Sequence, residues 1–439
     1  MEHADLQVDA DAGRAVRAGF PLVPRDRLNS RTRNLSNGAV VDLFDGRGFA
    51  GRGLFDDGSP AAVRVLTRDR KEAIDAAFWR KGIERAVDLR RTLVNLSHTD
   101  AWRAVNAEGD GLPGLVVETY SSYAVLRLES EALRPHLGSI VDAVRATMQP
   151  RGLYEKRHGP DGGRGHHLGG STAPDSLPVR EGSLRFLVRL AEGEMTGLFL
   201  DQRESRRVLA RYARGRQVAN CFSYTGTSSL TAAAAGATRV VSIDPSPRSI
   251  ASGRENFATN GLPPESHEFL NGDPRDVLGR IAASTRRFDL ALVDTPLFAA
   301  RAALPPSKAG KGAGKVGKGK GKKHAPKKAA KHGKRGKKRR MGTSGGGGPD
   351  PAAIFRSGYA ELLGAIARVL NPNGILACTV HEKNIAYADF LALLREAGEA
   401  NRVEIQILES HGLPPDFPVL PAYPQGEYLR FLVCGVRAM

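Results

Sequence analysis

From about residue 179 onward the chain alternates short apolar runs with amphipathic stretches, and this rhythm constrains the fold more than any other feature. Residues 218–221, 239–243, 268–270, 290–293 and 375–380 predict core strands, with helical spacing at 228–235, 247–259, 274–283 and 351–370 between them. Strands separated by helices pack as a parallel sheet covered on both faces, because each crossover must return over one face of the sheet. The expected class is therefore α/β. A last apolar run at 428–436, after a proline-rich loop, is expected at the sheet's edge.

The 178 residues upstream read differently. Residues 1–20 are polar and predict a loose terminus; runs at 40–44 and 61–66, with a turn at Asp45-Gly46, predict a small β-rich module. Helical spacing at 71–97 and 132–148, strands at 115–119 and 123–128, and a Gly- and His-rich loop at 158–176 predict a middle α/β domain. The expected organisation is 1–68, 69–178 and 179–439, the last interrupted by an insert at 304–349.

That insert also accounts for the charge. Residues 308–340 hold 13 Lys, 3 Arg and no acid; removing those sixteen cations from the net +18 leaves +2 for everything else. The insert is Lys, Gly and Ala rich and predicts disorder, since it has too little apolar surface to offset chain entropy. Without Phe, Tyr or Trp it is suited to phosphate-backbone contact rather than base stacking. A solubilising linker or a targeting signal would have the same composition. Cys221, Cys378 and Cys434 are far apart and show no metal-ligand spacing, so no metal and no disulfide framework is expected. The first twenty residues lack the apolar core of a signal peptide, and no run is long enough to span a membrane; a cytoplasmic protein is expected.

In parallel sheets, ligands bind beyond the carboxyl ends of the strands, where strand order reverses. Asn220-Cys221-Phe222-Ser223-Tyr224-Thr225-Gly226 follows the first core strand, and Gly226 permits close backbone approach. Asp244 ends the next strand and can accept both hydroxyls of a ribose, with a helix cap as the competing role. Asp273, or its neighbour Asp276, can accept from an adenine amino group, and Asp294 ends the fourth strand facing the same crevice. The G-x-G-x-x-G of pyrophosphate-bearing dinucleotide sites is absent, so a nucleoside without phosphates, such as S-adenosylmethionine, fits better.

Three motifs carry a family resemblance. Thr196-Gly197-Leu198-Phe199-Leu200-Asp201-Gln202-Arg203-Glu204-Ser205-Arg206, with the Asn220 to Gly226 segment, resembles the PUA-containing large-subunit ribosomal RNA cytosine-5 methyltransferases of bacteria. Glu108-Gly109-Asp110-Gly111-Leu112-Pro113-Gly114-Leu115 and Tyr423-Pro424-Gln425-Gly426-Glu427-Tyr428-Leu429 are similar to other segments of that family, in the same order. The resemblance implies a PUA-like RNA-binding module, a middle α/β domain and a Rossmann-like class I methyltransferase domain. It implies that Gln202, Arg203, Phe222, Ser223, Tyr224, Thr225, Gly226, Asp244, Asp273 and Asp294 line the S-adenosylmethionine site. It also implies that Asp294 and Cys378 face the target base, that ribosomal RNA or a ribosomal subunit precursor is the partner, and it leaves room for a homodimer.

Cytosine C5 is a poor nucleophile, so its methylation needs a thiolate at C6 to turn C5 into an enamine-like carbon. The resemblance matches Cys378 to that thiolate; a buried strand cysteine acting as a small hydrophobe is the competing role. The chain departs from the family pattern at Thr295 in Asp294-Thr295-Pro296, at Ala377 and Thr379 around Cys378, at Thr227 after the glycine loop, and at Ala18-Gly19-Phe20-Pro21-Leu22-Val23 in the N-terminal module. Two other functions stay open: methylation of another base atom or substrate without covalent catalysis, and a catalytically degenerate RNA-binding or ribosome-assembly factor.

Overall fold

A computed structural model describes residues 4–29, 32, 34–157, 164–192, 195–294, 351–381 and 385–439, and side chains from 356 onward in the helix that begins at 351. The insert expected to be disordered at 304–349, and Thr295, lie outside the described residues.

The N-terminal sheet holds β1 (Ala4–Gln7), β2 (Leu22–Pro24), β3 (Val40–Asp45), β4 (Gly48–Phe55) and β5 (Ala61–Thr67) in the order β1-β3-β4-β5-β2, with α1 (Ala10–Arg17) packed against it. Residues 4–17 are therefore built into a strand and a helix, contrary to their polar look. The β1 strand finds a parallel partner in β3, thirty-odd residues away, which local polarity does not reveal. The α1 helix buries Ala12 and Val16, and Asp9 caps it by accepting from the Ala12 N–H at 2.8 Å.

Arg17 ties this helix to the sheet, its Nη1 donating to Asp45 Oδ2 at 2.8 Å. That hydrogen bond holds the Asp45 carboxyl at about 2, below its ordinary 3.8. A carboxyl depressed in the folded state adds stability above its unfolded value and loses it as pH falls through the folded value. Arg17→Met is thus expected to raise the acid-unfolding midpoint, acting between about pH 4 and pH 2. A circular-dichroism acid titration measures it.

The middle sheet holds β6 (Ala101–Asn106), β7 (Leu115–Tyr120), β8 (Tyr123–Leu128), β9 (Gly152–Lys156) and β10 (Gly165–Gly170) in the order β10-β9-β8-β7-β6. Its core includes residues of α2 (Ala76–Leu93) and α3 (Leu137–Met148), and Trp79, Ile83, Ala86 and Val87 of α2 are buried at helical spacing. The β10 strand lies where the composition predicts a loop, with its backbone paired to β9. A hairpin of β11 (Leu177–Glu181) and β12 (Leu184–Val188) follows.

The third sheet is the α/β fold expected from the alternation. It holds β13 (Gln217–Cys221), β14 (Arg239–Asp244), β15 (Glu268–Asn271), β16 (Phe288–Asp294), β17 (Leu370–Val380), β18 (Val403–His411) and β19 (Arg430–Ala438), in the order β15-β14-β13-β16-β17-β19-β18. The crossovers carry α5 (Thr227–Ala234), α6 (Pro247–Thr259), α7 (Pro274–Ala282) and α8 (Pro351–Ala367), with α4 (Arg203–Ala213) before β13 and α9 (Tyr387–Asn401) after β17. The strands β13 to β17 run parallel, and β19 is antiparallel to both of its neighbours. The predicted edge strand β19 therefore lies inside the sheet. Its outer neighbour β18, Val-Glu-Ile-Gln-Ile-Leu-Glu-Ser-His, is half polar and exposed, and it lacks the apolar run that marks the other strands. Strand order reverses between β14-β13 and β16-β17, which opens the crevice at the ends of β13 and β16. Among the described residues no helix is long and apolar enough to cross a membrane.

Candidate cofactor and transfer site

The loop that leaves β13 is tightly wound. Phe222, Tyr224 and Gly226 have φ of 59°, 48° and 71°, in the left-handed region. For the two aromatics this costs on the order of 1–3 kcal/mol each, a strain that recurs where a loop is held for binding. A Cβ on Gly226 would lie 3.1 Å from Gly253 Cα in α6, so glycine also permits the close approach of loop and helix.

Asp244, at the end of β14, organises this loop. Its Oδ2 accepts from the Tyr224 N–H and its Oδ1 from the Ser246 N–H, both at 2.8 Å. A carboxylate has lone pairs for about four hydrogen bonds, a capacity that suits a pair of vicinal hydroxyls. The Thr225 hydroxyl donates to the Gly197 carbonyl at 2.6 Å, which ties the loop to the Thr196-Gly197 segment. The Tyr224 ring packs tilted against Phe199, 5.1 Å between centroids, and burial pushes its phenol up to about 12. The Ser223 Oγ is buried and has no hydrogen-bond partner among the described residues. A cavity of about 290 Å³ opens beside the loop, lined in part by Thr196, Gly197, Tyr224, Thr225 and Ser246.

Asp273 sits at the neighbouring strand end, where it caps α7: Oδ1 accepts from the Arg275 N–H at 2.9 Å and Oδ2 pairs with Arg275 Nη2 at 2.9 Å. Asp273 is thus the cap of α7, and Asp276 lies in that helix's first turn. Arg203 holds Asp416 with Nη1 at 2.8 Å and the Ala101 carbonyl with Nη2 at 2.8 Å, so its guanidinium joins α4 to β6 and to the loop before β19.

A second cluster forms at the ends of β16 and β17. Gln202 Nε2 lies 3.5 Å from both oxygens of Asp294 and 3.0 Å from His381 Nε2, and His381 Nε2 contacts Asp294 Oδ1. His381 was not singled out in the sequence. The one available signal is its position, the first polar residue after the apolar run of β17, just beyond the Thr379 that pairs with Asp294. The imidazole also lines a cavity of about 250 Å³ with Arg103, Arg127, Glu129, Tyr423 and Tyr428.

The structure does not bring Cys378 to this cluster. Cys378 pairs with Val293 and Thr379 with Asp294, so strand alternation turns Cys378 to the face opposite Asp294. The thiol is 0 % exposed; hydrogen bonding with Cys434 and burial hold it well above the ordinary thiol range. Cys221 is likewise pushed up to about 12 by burial.

Known proteins share this architecture. Residues 6–68 match the model of a PUA-like domain and residues 110–304 that of an S-adenosylmethionine-dependent methyltransferase. Ribosomal RNA large subunit methyltransferase I of Alteromonas mediterranea is 30% identical over 441 residues, covering 99% of either chain. The chain belongs to the ribosomal RNA large subunit methyltransferase I family. The Photobacterium profundum member is 28% identical over 410 residues, covering 92% of this chain and 91% of its own. A solved structure described as an S-adenosylmethionine-dependent methyltransferase from Streptococcus mutans has the same fold at a TM-score of 0.78 and 22% identity, covering 98% of this chain and all of that one.

As a member of this family the chain is an S-adenosylmethionine-dependent methyltransferase. The residues at the switch point suit that cofactor. The buried Ser223 hydroxyl has no hydrogen-bond partner among the described residues, and the Asp244 carboxylate stands at the end of β14 beside a loop wound in the left-handed region.

Proposed function

We propose that this methyltransferase acts on large-subunit ribosomal RNA, with its cofactor seated at the 222–226 loop, Asp244, Asp273 and Asp294. The observation that carries the reading is the end-to-end likeness to the Alteromonas mediterranea enzyme, PUA-like module included, together with a switch-point crevice with the Asp244 carboxylate at its strand end. When bound, S-adenosylmethionine supplies an electrophilic methyl group on a sulfonium. Asp244 accepts the ribose hydroxyls, the 222–226 backbone and Ser223 hold the nucleoside, and Gln202 and Asp294 stand at the transfer end. Arg203 acts by positioning α4, and with it Gln202.

The target atom has two readings. Methylation of cytosine C5 through an adduct with Cys378 follows from the motif resemblance, and it requires that thiol to leave Cys434 and cross to the other face of the sheet. Methylation of a base nitrogen without an adduct is favoured by the buried, high-pKa sulfur. Cys378→Ser is accordingly expected to retain methyl transfer within a few-fold of wild type, measured as labelled methyl entering ribosomal RNA. A loss of about 1,000-fold or more would restore the adduct reading.

The sixteen cations of 308–340 add a non-specific hold on RNA phosphates in this proposal. Deleting 308–340 is expected to weaken RNA binding about tenfold or more near 0.1 M salt and to flatten its salt dependence, with cofactor affinity unchanged. Filter binding across a salt series measures both.

A further inference from the structure

We propose that Tyr120 and Glu118, two residues of the middle sheet, position the wall of the cofactor cavity through Thr196, so that β7 sets how tightly the cofactor is held; this rests on the seating of the cofactor at the 222–226 loop. The geometry is one unbroken chain of contacts. Arg103 in β6 donates to Glu118 Oε1, at 2.8 Å from Nη2 and 3.1 Å from Nε. The Tyr120 phenol donates to Glu118 Oε2 at 3.0 Å, and the Thr196 hydroxyl donates to the Tyr120 oxygen at 2.8 Å. The carbonyl of the next residue, Gly197, accepts from the Thr225 hydroxyl of the cofactor loop at 2.6 Å. The chain thus runs from β6 and β7 to the loop that leaves β13.

The direction of each proton is fixed. Burial alone would raise the Glu118 carboxyl, but the charge of Arg103, with that of Arg127 behind it, holds it below its ordinary value. An ionised carboxylate only accepts, so Tyr120 gives its one proton to Glu118, and its oxygen is left to receive the proton of Thr196. Burial and the Glu118 charge hold the phenol well above its ordinary value of 10, so it remains a donor. Tyr120 is 1% and Thr196 7% exposed, so little water is at hand to replace a lost partner.

Thr196 is where this chain meets the cofactor cavity. Thr196 and Gly197 line the cavity of about 290 Å³ together with Tyr224, Thr225 and Ser246. Gly197 has a φ of 107°, a backbone that only glycine adopts freely, so this wall is shaped by its neighbours rather than by its own preference. The Thr196 carbonyl accepts from the Arg189 N–H at 2.8 Å. The Thr196 side chain is fixed by Tyr120, its other acceptor, the Leu198 carbonyl, lying at 3.4 Å. A residue that touches no ligand can change affinity by moving one that lines the site, an effect on the order of 2- to 30-fold.

The test is the S-adenosylhomocysteine affinity of the full chain, by calorimetry, for Tyr120→Phe, Thr196→Val and the double variant, each with its thermal unfolding midpoint. Tyr120→Phe keeps the ring and removes only the hydroxyl; it is expected to weaken binding by about 3- to 30-fold. Thr196→Val breaks the same hydrogen bond from the other side, so the double variant is expected to bind within about twofold of the weaker single variant. Val179→Ala truncates a buried side chain of the same core, outside this chain of hydrogen bonds. It is expected to lower the midpoint and to leave affinity within about twofold of wild type. A loss under about threefold in Tyr120→Phe, effects that multiply in the double variant, or an equal loss in Val179→Ala overturns the proposal alone. Wild-type affinity in a folded Asp244→Ala variant overturns the seating of the cofactor and this proposal together.

Discussion

Asp416→Ala is expected to lower the stability of the folded chain by about 3–5 kcal/mol, the cost of leaving a buried charge without its partner. Asp416 is 0 % exposed, in the proline-rich loop before β19. Its Oδ1 accepts from Arg203 Nη1 at 2.8 Å, its Oδ2 from the Arg103 backbone N–H at 2.8 Å, and its carbonyl oxygen from Arg90 Nη2 at 2.9 Å. One residue thus joins α2, β6 and α4, which arise from opposite sides of the β11-β12 hairpin. Truncation would take the 2.8 Å carboxylate from the Arg203 guanidinium, leaving it Glu181 at 3.9 Å and the Ala101 carbonyl, and would strand the buried Arg103 N–H; Gln202 stands at the start of α4. Chemical denaturation of wild type and variant measures the loss, and a change under about 1 kcal/mol would show that the contacts are replaceable.

Asp244→Ala is expected to weaken S-adenosylhomocysteine binding by at least about 100-fold, or about 2.7 kcal/mol. Hydrogen bonds to a charged acceptor contribute on the order of 1.5–3 kcal/mol each, and two ribose hydroxyls are assigned to this carboxylate. The same carboxylate fixes the Tyr224 and Ser246 backbone, so its loss also releases the strained loop. Calorimetry gives the affinity, and thermal unfolding separates a loss of binding from a loss of fold. Retained affinity in a folded variant would move the cofactor away from this strand end.

The parallel part of the third sheet was legible because β13, β14, β16 and the end of β17 are apolar runs separated by helical spacing. That pattern is what burial on both faces of a sheet requires. The β18 and β10 strands were not legible: the first is half polar and partly exposed, the second is glycine- and histidine-rich, and each shows its place only once its backbone pairs with a neighbour. The position of β19 inside the sheet depends on β18, and was lost with it. At the site, Asp244 and the glycine loop could be read from spacing, because strand-end carboxylates and left-handed turns leave a signature in residue type. His381 left only its position after the apolar run of β17, and a single histidine after a strand has no pattern until the register brings the end of β16 and Asp294 alongside. Asp416 and Arg203 are linked across 213 residues of sequence, and such a contact has no local trace. The orientation of Cys378 turns on strand parity, where a displacement of one residue exchanges the two faces of the sheet.

The most direct test of this account is to incubate the wild-type chain with methyl-labelled S-adenosylmethionine and large-subunit ribosomal RNA, then identify the labelled nucleoside by digestion and mass spectrometry. The account predicts label confined to one nucleoside, on a ring or exocyclic nitrogen, and absent when Asp244 is replaced by alanine. RNA that stays unlabelled while the protein binds S-adenosylhomocysteine would contradict it.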